Sequence, residues 1–405
     1  MTIYLDYNAT TPVDPRVIEA MTPYFGGEFG NPSSIHSAGQ RARAAVDRAR
    51  ESVAELLGAS PTEIIFTSGG TEAANLGILG VTEAHARRPR LGSGTSKKHV
   101  ITTQIEHHAV LNACQELEKR GCEVTYVAAS AGGVVDPEEI RRALRPDTVL
   151  ISVMYANNEI GTIQPVEEIG RVAAEADVYF HSDAVQSAGK LPLDVNRVRA
   201  DILSISAHKI YGPKGVGALY VRSGTPIEPQ FFGGHHERDR RPGTENVAGI
   251  VGFGKAAELA RQSLAEDAGR TCVLRDQLED ALLGSIPAAR VNGDRKRRVS
   301  NTTSITFDGA GGEALVIALD LEGIACSTGA ACSSGSIEPS HVLKAIGLSD
   351  DEARSSLRFS LGRSTTPEEI AAAAAAIPRV VERIRSLSPR PFGGRREREI
   401  TAPSR

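Results

Sequence analysis

The feature that most restricts this chain is an alternation. Through its first two thirds, short apolar runs of strand length are separated by stretches with helical patterning. Strand-like runs at residues 63–67, 99–103, 123–128, 148–154 and 178–181 are interleaved with helical segments such as 137–144 and 166–176. A chain of this kind buries itself as a mainly parallel sheet covered by helices on both faces. Ligands in that architecture bind outside the carboxyl ends of the strands. Four polar clusters fall there: Ser68-Gly-Gly-Thr71, Glu106-His107, Asn157-Asn-Glu159 and His181-Ser-Asp-Ala-Val-Gln186.

The stretch Asp201–Val221 supplies a fifth. An apolar run enters Ser206-Ala-His-Lys209, passes through Gly212-Pro-Lys-Gly-Val-Gly217 and leaves as another apolar run. The glycine-rich part leads into a strand rather than opening a helix, so a dinucleotide-binding loop is excluded on context. A lysine at a strand end between packed segments is partly desolvated, and its amine becomes a nucleophile able to form a Schiff base. Local chemistry alone does not choose Lys209 over Lys214. Ser68-Gly-Gly-Thr71, set between a strand and a helix expected from Glu72, has the layout of a phosphate cradle, and equally that of an ordinary βα loop. Asp183 reads either as a cap for a helix from Ala184 onward or as the carboxylate that keeps a pyridine nitrogen protonated. His107 reads as a hydrogen-bonded loop histidine or as a ring stacked on a flat cofactor. Lysine, carboxylate, cradle and histidine together indicate pyridoxal 5′-phosphate (PLP).

Asp14-Pro15 predicts a helix to about Phe25, and a turn at 30–34 precedes an alanine- and arginine-rich helix ending near Gly58. Residues 89–98 are Gly/Ser-rich and read as an exposed connection. A helical stretch at 247–283 leads to an α+β segment with strands near 302–307 and 357–360 and helices near 313–322 and 367–385. Within it, Cys326-Ser-Thr-Gly-Ala-Ala-Cys332-Ser-Ser-Gly335 consists of small residues that cannot pack a core, so Cys332 is expected on a loop, exposed and reactive. Cys326 ends a strand-like stretch and suits a buried position. The Pro/Gly/Arg/Glu-rich segment 386–405 reads as a disordered tail.

A length of 405 residues, 40% apolar and 24% charged, is that of a globular protein of two or three domains. The formal charge of −4 argues against general affinity for nucleic acid or anionic membrane. Five scattered cysteines do not form a disulfide framework, and the N-terminus lacks a signal-peptide layout, so a cytoplasmic protein is expected.

The chain resembles the cysteine desulfurases of the NifS/IscS group, from Tyr4-Leu-Asp-Tyr-Asn-Ala-Thr-Thr11 to about Thr366. Further motifs carry the likeness: Gly30-Asn-Pro-Ser-Ser34, Thr67-Ser-Gly-Gly-Thr-Glu72, Asn157-Asn-Glu-Ile-Gly161, Asp183-Ala-Val-Gln186, Ser206-Ala-His-Lys209, Arg241-Pro-Gly-Thr244 and Leu357-Arg-Phe-Ser-Leu-Gly-Arg363. The cysteine loop is similar to that of the long-loop class. The resemblance implies a fold-type I PLP-dependent transferase, with a large domain on a mainly parallel seven-stranded sheet and a smaller α+β domain. It places an N-terminal segment (1–15) on the small domain, the large domain at 16–260, the small domain at 261–385 and the cysteine loop at about 326–338. Lys209 is then the PLP lysine, and Gly70, Thr71, Ser206 and His208 hold the phosphate with Thr244 of a partner subunit, which implies a homodimer. Asp183 faces the pyridine nitrogen, Gln186 and Asn158 the ring hydroxyl side, and His107 stacks on the ring. Arg358 and Asn31 hold the substrate carboxylate. Cys332 attacks the sulfur of L-cysteine and becomes a persulfide, passing sulfur to an acceptor such as an iron–sulfur scaffold; it is also a candidate transient cluster ligand. Cys326 departs from the family motif, and inert, sulfur-accepting and metal-binding roles stay open for it. Two alternatives also stand: a small-molecule aminotransferase or lyase of the same fold, and a non-catalytic sulfur or metal carrier.

Overall fold

The computed structural model describes residues 2–87, 98–328 and 338–387. The expected connection near 89–98, apart from its last residue, most of the cysteine loop with Cys332, and nearly all of the C-terminal tail lie outside the described residues.

The central sheet contains β2 (Ile64–Thr67), β3 (His99–Thr103), β4 (Glu123–Val127), β5 (Thr148–Ser152), β6 (Tyr179–Asp183), β7 (Ile202–Ser206) and β8 (Gly217–Val221), after a short β1 (Ile3–Tyr4). Its seven strands run in the order β2-β8-β7-β6-β5-β3-β4. β4, β3, β5, β6 and β7 are parallel, whereas β8 is antiparallel to both β7 and β2. All but β4 are buried along their whole length, because helices cover both faces. This explains why they read as continuous apolar runs rather than alternating ones.

Local chemistry sets the helix starts. Asp14 caps the helix Pro15–Met21 by accepting from the Arg16 N–H, and Pro15 occupies the first helical position. The long helix Ser37–Leu57 packs on the still longer Val247–Ser285. That second helix continues past residue 260, so the expected boundary between domains falls inside one continuous element.

A second, antiparallel sheet has the order β12-β13-β10-β9, built from β9 (Ala289–Asn292), β10 (Thr302–Phe307), β12 (Ser327–Thr328) and β13 (Ser356–Ser360). β11 (Ile324–Ala325) pairs in parallel with β1, so the N-terminus joins this body, and Leu5 belongs to its core with Phe307, Leu319, Leu357 and Phe359. Val342, Leu343, Ile346 and Ala353 pack instead into the core of the central sheet.

Two local expectations are corrected. The helix after β2 begins at Gly70 rather than Glu72, which puts Gly70 and Thr71 in its first turn. No helix follows Asp183: residues 184–190 form successive turns, and the Asp183 carboxylate accepts the Val185 N–H at 2.9 Å.

Candidate active site

The strand ends converge on one cavity of about 350 Å³, within the range of small-ligand sites, roughly 300–1,000 Å³. The helix start after β2 contributes Gly70 and Thr71, the segment after β3 contributes His107, and the one after β5 contributes Asn158. β6 and its turns bring Asp183 and Gln186; β7 and the residues after it bring Ser206, His208 and Lys209. Arg358 arrives from β13 of the other sheet, and Asn8 and Ala9 from the N-terminal segment. Lys214, the competing lysine, is not part of this wall. Asn31 and Thr244 lie outside it as well, both exposed. The Arg241-Pro-Gly-Thr244 segment is nevertheless tied to the cradle, since Arg241 ion-pairs with Glu72 at 2.8 Å.

Lys209 leaves β7 through a tight reversal. Its Nζ donates to the carbonyls of Asn8 (2.5 Å) and Ala9 (2.8 Å). Two residues on, Tyr211 adopts a left-handed backbone (φ 66°), unfavourable by roughly 1–2 kcal/mol. Thr11 offsets that cost by accepting the Tyr211 N–H at 2.9 Å, while its own N–H and hydroxyl reach the His208 carbonyl.

Burial sets the electrostatics. Desolvation pushes the Asp183 carboxyl up to about 6, against the opposing effects of the Val185 N–H and Lys209. His107 is held down to about 4, chiefly by burial and then by Lys209, so its ring is neutral near pH 7. Its Nδ1 accepts the Ala109 N–H at 3.1 Å, which assigns the ring proton to Nε2. His208 is lowered to about 4 by burial, Lys209 and Lys214. Glu106, just before His107, is fully buried and driven up to about 8 by desolvation; Oε1 accepts from Thr103 and Met154, but Oε2 has no partner among the described residues.

Arg358 is buried, with one terminal nitrogen on Asp6 (2.6 Å) and another on the Asn158 carbonyl (3.0 Å). Its Nε is buried with no hydrogen-bond partner among the described residues. Cys326 is 8% exposed in the small core, and burial lifts its thiol to about 12. Burial and a protonated thiol are what a packing residue would show. Among the described residues no group of three or more His, Cys, Asp or Glu side chains is arranged to hold a metal ion.

The wall fits PLP. At one end a helix N-terminus stands beside the Ser206 and His208 side chains, and a Cβ on Gly70 would come within 2.8 Å of Val185, so glycine keeps that cradle open. At the other, Asp183 is a buried carboxylate that a cationic ring nitrogen would relieve of its desolvation cost. Sequence reasoning missed Asp6, Asn8 and Lys190. The first two lie inside a quoted motif and Lys190 follows Gln186 by one helical turn's spacing, but each acts on residues distant in the chain.

Comparison with known proteins agrees with this geometry. The family described as Aminotransferase class-V matches residues 3–372. Cysteine desulfurase IscS of Dictyoglomus turgidum is 49% identical over 387 residues, covering 96% of each chain. That of Methanosarcina thermophila is 49% identical over 387 residues, 96% of this chain and 94% of the relative. Among solved structures, a NifS-like protein superposes with a TM-score of 0.87 at 39% identity, covering 94% of this chain and 100% of the other. A structure described as SspA in complex with cysteine gives 0.79 at 38% identity, covering 90% and 100%. Convergent strand ends and near-complete likeness lead to one assignment: the chain belongs to the class-V aminotransferase family and is a PLP-dependent cysteine desulfurase of the NifS/IscS group.

Proposed function

We propose that the enzyme takes L-cysteine at this cavity, releases L-alanine, and stores the sulfur as a persulfide on Cys332 for delivery to an iron–sulfur scaffold protein. The observation that carries the reading is the convergence of Lys209, Asp183 and Arg358 on one cavity from two different sheets. Lys209 would hold the cofactor covalently, Asp183 its ring nitrogen, and Gln186 with Asn158 its hydroxyl side. Gly70, Thr71, Ser206 and His208 would hold its phosphate, with Thr244 from the partner subunit of a homodimer. Bound PLP supplies an electron sink for the substrate's Cα.

The chain's own residues do the rest. Arg358, which lines the cavity, would orient the substrate carboxylate. The Lys209 amine takes the Cα proton. His107, neutral and carrying its proton on Nε2, lies on the cavity wall as a stacking and proton-donating ring. The Cys332 thiolate bonds to the substrate sulfur as the Cβ–S bond breaks. The electron pair of that bond stays with carbon, which takes up a proton to become the alanine methyl group, and Lys209 returns its proton to Cα. No external oxidant or reductant is required.

The homodimer is supported by the exposed Phe231 (56%) and Phe232 (88%) in the segment that leads to Thr244. A cytoplasmic setting is supported by free thiols at all four described cysteines. No helix among the described residues is long and apolar enough to cross a membrane.

The test is incubation with L-cysteine without reductant, followed by mass spectrometry of the Cys332 peptide and quantification of alanine. One added sulfur together with alanine is expected. A cofactor spectrum that responds to amino acids while no alanine forms would overturn desulfurase chemistry in favour of an aminotransferase or lyase.

A further inference from the structure

Lys190 has no part in the reaction described above, yet it is built into the same hydrogen-bonded network. It ends the turns after β6, partly buried, and its Nζ donates to Gln186 Oε1 (2.7 Å) and Asn8 Oδ1 (2.9 Å). Both acceptors are neutral amide oxygens, so the amine sits among dipoles rather than against a carboxylate. Its two bonds decide which way each amide faces. With its oxygen occupied, Gln186 turns Nε2 to the Asn8 carbonyl at 3.0 Å. Asn8 Oδ1 also accepts from Asn301, which leaves Asn8 Nδ2 to donate to the Asn158 carbonyl (3.1 Å) and Thr302 (2.8 Å). The Asn8 carbonyl is the group that meets Lys209 Nζ. A continuous path therefore runs from Lys190 through Gln186 and Asn8 to Lys209. Both lysines also line a second cavity of about 30 Å³, room for a single water.

The surrounding charges give this arrangement a consequence. Asp183, His107, His208 and Lys190 all act electrostatically on Lys209. Lys190 in turn feels Lys209 and Arg358, and burial followed by these two cations holds it well below the ordinary ammonium range. The second cavity adds Tyr7, Tyr211 and the Arg363–Asp267 ion pair (2.9 Å), whose charges offset each other. Two amines in one buried network cannot both keep a proton cheaply.

We propose that Lys190 is a positioning residue for the desulfurase reaction: it orients the Asn8 and Gln186 amides around Lys209 and sets a second amine of like charge against it. This rests on Lys209 being the cofactor lysine.

The test is a pH titration of the bound cofactor's visible absorbance in full-length holoenzyme, without substrate, across the neutral to alkaline range. Lys190→Met should move the midpoint upward by about one pH unit, a tenfold gain in proton affinity. Lys190→Arg keeps a cation in place and should not move it upward. In steady state, Lys190→Met should lower kcat more than it changes KM. An unmoved midpoint in Lys190→Met overturns the proposal. Should that variant fail to fold, trace labelling of amines in the wild-type holoenzyme reads Lys190 directly: a Lys190 midpoint above the cofactor's means its charge is present while the cofactor titrates and supports the proposal, and one below the cofactor's overturns it. Lys209→Ala tests the underlying reading by itself. If the band carried by a lysine-bound cofactor persists there, the cofactor lysine has been misassigned, a failure distinct from an unmoved Lys190→Met midpoint.

Discussion

Asp183→Asn should stabilise the cofactor-free protein while loosening its hold on the cofactor. The carboxyl is buried and lifted to about 6 by desolvation, only partly offset by the Val185 N–H and Lys209. The distance from an ordinary aspartate corresponds to roughly 3 kcal/mol of differential interaction. Its sign follows from linkage. Above about pH 6 the group is ionised in both folded and unfolded chains, and the folded state carries the whole penalty. As pH falls towards the ordinary aspartate range, the folded state keeps its proton while the unfolded chain regains one, and the penalty shrinks to nothing. Asparagine removes the charge yet can still accept the Val185 N–H, now at 2.9 Å. The cofactor-free variant should therefore unfold a few degrees higher, roughly, at pH well above 6, with the gain vanishing near the ordinary aspartate range. In the holoenzyme the same change removes a charge-assisted hydrogen bond worth about 1.5–3 kcal/mol, so cofactor affinity should fall about tenfold to a hundredfold. Thermal unfolding of both forms at two pH values, with equilibrium dialysis of the cofactor, measures each half. A cofactor-free variant no more stable than its parent at either pH would refute the electrostatic account of this site.

Three further outcomes follow from the same geometry. Gly70→Ala places a methyl group 2.8 Å from Val185; the crowding costs about 1–3 kcal/mol and should weaken cofactor binding about tenfold, and unchanged affinity would show the cradle to be roomier than described. Arg358→Lys loses the planar fork that serves Asp6 and the Asn158 carbonyl; the KM for L-cysteine should rise about tenfold or more with a smaller change in kcat, and an unchanged KM would remove Arg358 from substrate binding. Glu106→Gln replaces a carboxyl lifted to about 8; its stability advantage over the parent should grow as pH rises from the ordinary glutamate range to about 8 and stay flat above, because the ionised form bears the cost. An advantage independent of pH in chemical denaturation would contradict the buried-acid assignment.

What could be read from sequence was local. Lys209, Asp183 and the phosphate turn each follow an apolar strand directly, so strand patterning located them at the sheet's carboxyl edge before any coordinates. The choice of Lys209 over Lys214 came from family resemblance; in the structure Lys209 lines the cavity and Lys214 does not. Asp183 also shows where local rules fail. An acid before Ala184 reads as a helix cap, but Gln186 and Lys190 are drawn by long-range bonds to Asn8, and residues 184–190 turn instead of coiling. Asp6 and Asn8 were not assigned roles for the same reason. Their partners Arg358, Ser360, Thr302 and Lys209 are hundreds of positions away, and no periodicity encodes such a meeting.

Those N-terminal residues also determine how the two halves of the site are held relative to each other. Lys209 and Asp183 belong to the central sheet, whereas Arg358 belongs to β13, where it stands opposite Ser327 of β12. β12 leads directly into the segment containing Cys332, so the proposed carboxylate anchor and the root of the sulfur-accepting loop share one ladder. Lys209 and Asp183, the proposed base and the proposed partner of the cofactor's ring nitrogen, are fixed to the other body. Between the two bodies runs the segment after β1: Asp6 bridges Ser360 and ion-pairs with Arg358, and the Asn8 N–H donates to the Ser360 hydroxyl while its carbonyl accepts from Lys209. The central core reaches across that junction through residues 342–353, and the polar contacts of Asp6 and Asn8 add the link that runs directly between Arg358 and Lys209. Such contacts are directional and lose strength within a few tenths of an ångström. Buried short residues on a fixed backbone therefore suit this position better than long flexible ones, which accounts for a deeply buried asparagine where the two sheets meet.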